Sequence, residues 1–388
     1  MKRKSPSRTG PRPRRRYELK DPELNCLIEE LVERAQATHG DSEGAEYVRQ
    51  LIVTALRLVG DGTPRGNVKL INSALKELRH SFRVFAPYEQ LRKVAVFGSA
   101  RTKSDEPAWK QAFEFAERIV SEGWMVITGA GGGIMRAAQG GAGREASFGV
   151  NIRLPSEQSA NDVIAGDRKL INFRYFFTRK VTFVKQAHAI ALFPGGFGTH
   201  DEGFETLTLI QTGKSEILPV VFVDEPGGSY WRDWEVYVRT HMLERGLVSE
   251  ADLSLFKITD DVGVAVDEIL SFYSNYHSRR YVKDKLVLRT RQAPDAEQLA
   301  ALNEDFRDIV VSGGIEVSGA LPEENGDVAD CPRVVLKFNQ RDFGRLRVLI
   351  DTLNSFGADA ARPPLEASPR EIVARELPPE AESEEQDS

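Results

Sequence analysis

The chain has 388 residues, 41% of them apolar and 28% charged, with a formal net charge of −6. This is the composition of a globular protein in water, and its negative balance gives no general attraction to nucleic acid or to an anionic membrane surface. Its two cysteines, Cys26 and Cys331, lie far apart and argue against a disulfide framework or a zinc site.

No apolar run approaches the roughly 18 residues that span a bilayer. The basic N-terminus lacks the apolar core of a secretory signal, so a cytoplasmic protein is expected. Residues 1–16 carry many Lys and Arg, several Pro and Ser, and no acid. A segment of this kind cannot bury enough surface to fold, and a disordered basic tail is expected over 1–20. A helical region is expected over 21–88. Leu24, Leu27, Ile28, Leu31 and Val32 recur at helical spacing behind Asp21-Pro22. A second run carries Tyr47, Leu51, Ile52 and Leu56, and a third carries Val68, Ile71, Leu75, Leu78 and Phe82. This region shows no chemistry of its own and is expected to pack on the domain that follows.

Over 89–285 strand and helix patterns alternate. Strands are expected at 94–97, 124–128, 148–152, 189–193 and 219–223, and helices at 107–122, from 134, at 174–187, to about 212, at 231–244 and at 262–273. Continuously apolar strands in repeated β–α units imply a Rossmann-like, doubly wound parallel sheet covered on both faces, an α/β fold. A small α+β appendage is expected over 286–360, with a helix at 296–309, strands at 315–321 and 333–338, and an amphipathic helix through Phe343, Leu346, Leu349, Ile350 and Leu353. A disordered acidic tail is expected over 361–388.

Three glycine-rich turns close the expected strands: Gly98-Ser99-Ala100, Gly129-Ala130-Gly131-Gly132-Gly133, and Pro194-Gly195-Gly196-Phe197-Gly198-Thr199. In such sheets ligands bind beyond the carboxyl ends of the strands. The third turn leads from a strand into a helix expected to start near His200. Backbone N–H groups and the helix dipole can hold a phosphate there, and Thr199 is the expected N-cap. Glycines at 195, 196 and 198 admit close approach of a ligand and positive φ. Asp201, Glu202 and Glu205 add carboxylates to the first two turns; helical spacing puts Glu202 and Glu205 near one face and Asp201 elsewhere. A nicotinamide site is not supported. The first two turns do not continue as G-x-G-x-x-G, and Asn151 and Arg153 stand where an acidic ribose ligand belongs. There is no G-x-x-x-x-G-K-[ST] loop.

Pro194-Gly-Gly-Phe-Gly-Thr-His-Asp-Glu202, with Arg179-Lys180 upstream, resembles the P-G-G-x-G-T-x-x-E motif and Arg-Lys pair of the Lonely Guy family. These are the cytokinin-activating phosphoribohydrolases and related nucleotide 5′-monophosphate nucleosidases, whose bacterial members are often labelled "possible lysine decarboxylase". The resemblance covers roughly residues 68–280. It implies hydrolysis of the N-glycosidic bond of a purine nucleoside 5′-monophosphate, AMP-like or a cytokinin riboside monophosphate, to free base and ribose 5-phosphate. It implies Arg179 and Glu202 as the catalytic pair. Gly98, Ser99, Gly131, Gly132, Gly133, Lys180, Gly195, Gly196, Gly198, Thr199 and Glu205 are the expected substrate and phosphate ligands. No cofactor, metal, nucleic acid or membrane is called for, and a homodimer or tetramer is implied. The alternative is a non-catalytic nucleotide- or molybdenum-cofactor-binding protein of the same fold. Ala130 stands where relatives usually have glycine, and His188 where many carry Asp or Ser; His188 is expected in the core or an interface.

Overall fold

The computed structural model describes residues 17–40, 43–154, 159–324 and 328–357. Residues 1–16 of the expected basic tail and all of the expected acidic tail lie outside them. The chain divides into two compact units, Met1–Lys76 and Glu77–Ser388.

The first unit is helical. Asp21 starts α1 (Pro22–His39) by accepting the N–H groups of Glu23 and Leu24 at 2.9 and 3.2 Å, with proline at the first helical position. Helix α2 (Ala45–Gly60) follows, and α3 (Arg65–Phe85) starts in this unit and ends in the next. Ile28, Val32 and Val53 are buried, and the buried Arg49 pairs with Glu46 at 2.7 Å. The periodicity that predicts these helices also leaves Leu24, Leu27 and Leu31 of α1 and Tyr47 and Leu51 of α2 exposed.

The second unit is built on a seven-stranded parallel sheet. Its strands are β1 (Lys93–Phe97), β2 (Met125–Thr128), β3 (Ser147–Ile152), β4 (Leu170–Phe173), β5 (Ala189–Leu192), β6 (Val220–Val223) and β7 (Lys257–Thr259), in the order β4-β3-β2-β1-β5-β6-β7. The five inner strands are almost wholly buried, as sheets covered on both faces require. The covering helices are α4 (Pro107–Ser121), α5 (Ile134–Ala142), α6 (Phe176–Gln186), α7 (Phe197–Gln211), α8 (Tyr230–Val238) and α9 (Val262–Phe272). Val94–Phe97 of β1 pair in parallel with Ala189–Leu192 of β5. The chain leaves β1 to build one half of the sheet and returns at β5 to build the other. That reversal is the topological switch point at which α/β sheets bind ligands.

The edge strands β4 and β7 were not expected. Their short runs, Leu-Ile-Asn-Phe and Lys-Ile-Thr, mix polar and apolar residues and are partly exposed, so they lack the continuous apolar signal of the inner strands, and only pairing with β3 and β6 defines them. One residue before the expected helix start at 231, α8 begins at Tyr230 and passes into a π-helical turn at Arg239–Leu243.

An antiparallel sheet, β10-β11-β9-β8, completes the unit, from β8 (Tyr276–Val282), β9 (Lys285–Thr290), β10 (Glu316–Ser318) and β11 (Arg333–Leu336). Its first hairpin begins at Tyr276, before the 286 boundary expected from sequence. Helices α10 (Ala296–Asp305) and α11 (Phe343–Phe356) belong to the same region. Asn354 of α11 accepts the N–H groups of Asn275 and Tyr276 at 3.2 and 2.8 Å, which ties the start of β8 to the end of α11.

Candidate active site

The turns after β1, β2 and β5 meet at the switch point. Ser99 lies between the other two. Its N–H donates to the Pro194 carbonyl at 3.0 Å, and its own carbonyl accepts from Ile134 N–H at 3.0 Å. Gly133 and Gly195 leave no room for a side chain there. A Cβ on Gly133 would stand 2.1 Å from the Ser99 carbonyl oxygen, and one on Gly195 would stand 2.2 Å from Thr199 Oγ1 and 2.9 Å from Ser99 N. Gly133 also has φ +57°. Gly133→Ala combines a left-handed backbone with a backbone clash, so it should cost at least about 1–3 kcal/mol in urea unfolding. Gly98 and Gly131 are similarly close to Ile134 and Met135, at 2.7 Å each, and Gly132 comes within 3.1 Å of Ala100 O.

Positive φ at 195, 196 and 198 does not occur; in these turns the left-handed residues are Gly133 and, unexpectedly, Ala130 at φ 61°. Ala130 is fully buried, and its loop is held from outside. The Asn161 N–H donates to the Ala130 carbonyl at 2.9 Å, and Asn161 Nδ2 donates to the Gly131 carbonyl at 2.9 Å and to Gln139 Oε1 at 2.7 Å. No motif marks Asn161, which is distant in sequence from the loop it supports.

Helix α7 begins at Phe197, ahead of the expected start. Gly196 is therefore the N-cap, and Thr199 lies inside the first turn, buried, with no side-chain capping bond. The correction follows from the two open glycines. A Cβ at Gly196 or Gly198 would meet nothing within 4 Å, so no neighbour crowds the chain as it winds into a helix right after Gly195. The first turn of a helix has no internal acceptors for its N–H groups.

Glu202 follows on the inner side of α7 and is 7% exposed. Its carboxylate has no hydrogen-bond partner among the described residues. Burial pushes its pKa up to about 7, against the opposing charges of Arg179 and Lys180 and with a smaller contribution from Glu205 and Asp201. Arg179 of α6 reaches across β3, where its Nε donates to the Val150 carbonyl at 3.0 Å. Its guanidinium lies against the second turn, since a Cβ on Gly129 would stand 2.5 Å from Nη2.

Lys180 is engaged by protein carboxylates. Its ammonium pairs with Asp201 at 2.9 Å and Glu205 at 2.7 Å, clamping α6 to α7. Burial would lower its pKa, but its hydrogen bonds to Glu205 and Asp201 outweigh this and leave it raised. The carboxylate geometry also differs from expectation. Asp201 and Glu205, four residues apart, share Lys180, while Glu202 turns inward alone. Ser99 Oγ accepts from Arg101 N–H at 3.1 Å, a bond within its own turn. His188 accepts the Lys93 N–H on Nδ1 at 3.2 Å, and desolvation, with Lys93 and Arg92 nearby, lowers its pKa to about 3.

Two residues that sequence alone did not single out border the turn. Tyr230, at the start of α8, donates its hydroxyl proton to the Gly195 carbonyl, and His200 Nε2 lies 2.7 Å from the same hydroxyl. Among the described residues no group of three or more His, Cys, Asp or Glu side chains is placed to hold a metal, and no helix is long and apolar enough to cross a membrane.

Residues 132–269 match the family model described as "Possible lysine decarboxylase". No curated protein matches the chain. Similar solved structures include TM1055, a structural-genomics target, at 19% identity and TM-score 0.33, covering 46% of this chain and 97% of that one. A molybdenum cofactor carrier protein from Chlamydomonas reinhardtii stands at 21% and 0.33, covering 47% and 99%. A molybdenum cofactor binding protein from Rippkaea orientalis stands at 19% and 0.32, covering 47% and 95%.

Proposed function

We propose that this chain, which carries a Lonely Guy family domain over residues 132–269, hydrolyses the N-glycosidic bond of a purine nucleoside 5′-monophosphate. Water adds to C1′ of the ribose, the bond to the base breaks, and the base leaves with a proton, giving free base and ribose 5-phosphate. Such cleavage builds positive charge on the ribose, as in other glycoside hydrolysis. A carboxylate held next to that charge stabilises it and can take the proton of the attacking water.

The observation that carries the proposal is Glu202. It is a buried carboxylate with a pKa of about 7, on the helix whose N-terminus holds Gly196 and Gly198, where a Cβ would meet nothing within 4 Å. A phosphate on the N–H groups of that N-terminus would anchor the 5′ end of the nucleotide and bring its ribose over Glu202. Arg179 supplies the compensating positive charge and a planar donor set for the phosphate or the departing base. Lys180 acts indirectly, by fixing α6 and α7. Its raised pKa and two carboxylate partners are the reverse of what an imine-forming lysine needs, which disfavours the decarboxylase chemistry in the matched description.

The test is incubation with AMP and chromatographic detection of adenine and ribose 5-phosphate. Binding without turnover across a panel of purine and pyrimidine monophosphates would sink the enzyme and leave a nucleotide- or cofactor-binding protein; the same panel, with an isopentenylated AMP, identifies the preferred base. If ionised Glu202 is the base, kcat/KM should fall tenfold per pH unit as pH drops below about 7. A flat profile between pH 5 and 8 would exclude that role for Glu202.

A further inference from the structure

We infer that Tyr230, held by His200, is a positioning residue of the phosphate turn: by fixing the Gly195 carbonyl it aims the Gly196 N–H at the anion. This rests on the turn being the phosphate end of a nucleotide site.

The carbonyl of Gly195 and the N–H of Gly196 belong to one planar trans peptide and point in opposite directions. A partner that holds the carbonyl therefore sets the direction of the N–H. Tyr230 is that partner. The Gly196 N–H has no hydrogen-bond partner among the described residues, and a Cβ at Gly196 would meet nothing within 4 Å. Glycine flanks this peptide on both sides, so no side chain of its own restrains its rotation, and a swung peptide would present a carbonyl oxygen to the phosphate.

The phenol has one proton, which it gives to the Gly195 carbonyl, so it accepts from His200 Nε2 at 2.7 Å. The imidazole carries its proton on Nε2 to make that bond. Burial lowers the His200 pKa and raises that of Tyr230, so both groups keep these roles at neutral pH. His200 belongs to α7 and Tyr230 to α8, so the two bonds tie both helices to the turn. The start of α8 is anchored in its own right. The buried Trp231 donates its N–H to Asp224 Oδ2 at 2.9 Å and packs edge-on against Phe222, 4.6 Å between ring centres. Tyr230 therefore projects from a fixed support.

Tyr230→Phe keeps the ring and removes only the hydroxyl. One lost hydrogen bond, expressed through an anion contact remote from the reacting bond, should raise the KM for AMP about tenfold and leave kcat within about twofold. Titration with inorganic phosphate by calorimetry should show a similar loss of affinity, with the melting temperature within about 2 °C of wild type. His200→Phe should weaken phosphate binding in the same direction by a smaller factor, and it decides the matter should Tyr230→Phe fail to fold. Phosphate affinity and KM equal to wild type in these variants, or a loss confined to kcat, would overturn the inference. If the wild type binds phosphate but cleaves no nucleotide, the proposed activity fails while the phosphate titrations still decide Tyr230. A wild type that does not bind phosphate overturns the inference, and AMP turnover alone then decides the activity.

Discussion

Replacing Glu202 by glutamine should lower kcat/KM for a nucleoside monophosphate by roughly 10²–10⁴-fold while making the folded protein more stable above neutral pH. The first effect follows from removing the group that takes a proton or faces the cationic ribose. The second follows from linkage. Burial raises the Glu202 pKa from an ordinary value of 4.5 to about 7, so the folded protein holds a proton that the unfolded chain has already released between those values. Stability from this group is therefore present at acid pH and is lost as pH rises through about 7, by roughly 3 kcal/mol in full. Glutamine has no such loss. Urea unfolding at pH 5 and pH 8.5 should show the variant gaining on the wild type as pH rises, by up to about 3 kcal/mol. Equal pH dependence in the two proteins would mean that Glu202 is not desolvated, and near-normal turnover would remove it from the chemistry.

Arg179→Met should cost about 10²–10³-fold in kcat/KM, through loss of the cation beside the carboxylate. It should also move the acid limb of the pH–rate profile upward, because the Arg179 charge opposes the burial that raises Glu202. A lysine at 179 restores charge but not the planar fork or the Nε bond to Val150, so it should recover the pH limb better than the rate. Gly129→Ala gives an independent check. Its Cβ would stand 2.5 Å from Arg179 Nη2 and 2.8 Å from Met135 Sδ, both at the ends of flexible side chains. The guanidinium should be displaced at little cost in stability, so activity should fall with the melting temperature nearly unchanged. Full activity in Gly129→Ala would show that the arginine is not required in its observed position.

The clamp formed by Lys180 with Asp201 and Glu205 explains why α6 and α7 keep Arg179 and Glu202 in register. There an expected ligand, Lys180, is committed to two protein carboxylates. Asp201 is largely exposed, so its half of the clamp contributes little to stability; the value of the pair is geometric.

How much of this was legible beforehand depended on whether the signal was local. Apolar runs such as Val94–Phe97 and Ala189–Leu192 are readable because a strand buried on both faces must be continuously apolar. The glycine turns are readable because only glycine tolerates such close backbone approach, as Gly133 and Gly195 do around Ser99. The alternating α/β pattern and the clustering of three turns at one sheet edge followed from these. The edge strands β4 and β7 and the β8–β9 hairpin did not. Their residues are few or mixed in polarity, as in the Tyr276–Val282 segment, and only a neighbouring strand makes them strands.

The amino-acid sequence by itself determined the fold class and the glycine turns, because each rests on composition or spacing within a few residues; Arg179 and Glu202 were singled out by their resemblance to a family motif. Tertiary structure alone decided what those residues are chemically. Thr199 became part of a helix instead of its cap because the open glycines let α7 start early. Lys180 became a clamp because α6 and α7 bring two carboxylates to it. Glu202 acquired a pKa of about 7 because the packed sheet excludes water from it. Tyr230 and His200 joined the turn because α8 returns over it. Burial, charge coupling and peptide orientation depend on distances between segments far apart in the chain, and those distances exist only once the sheet has ordered its strands.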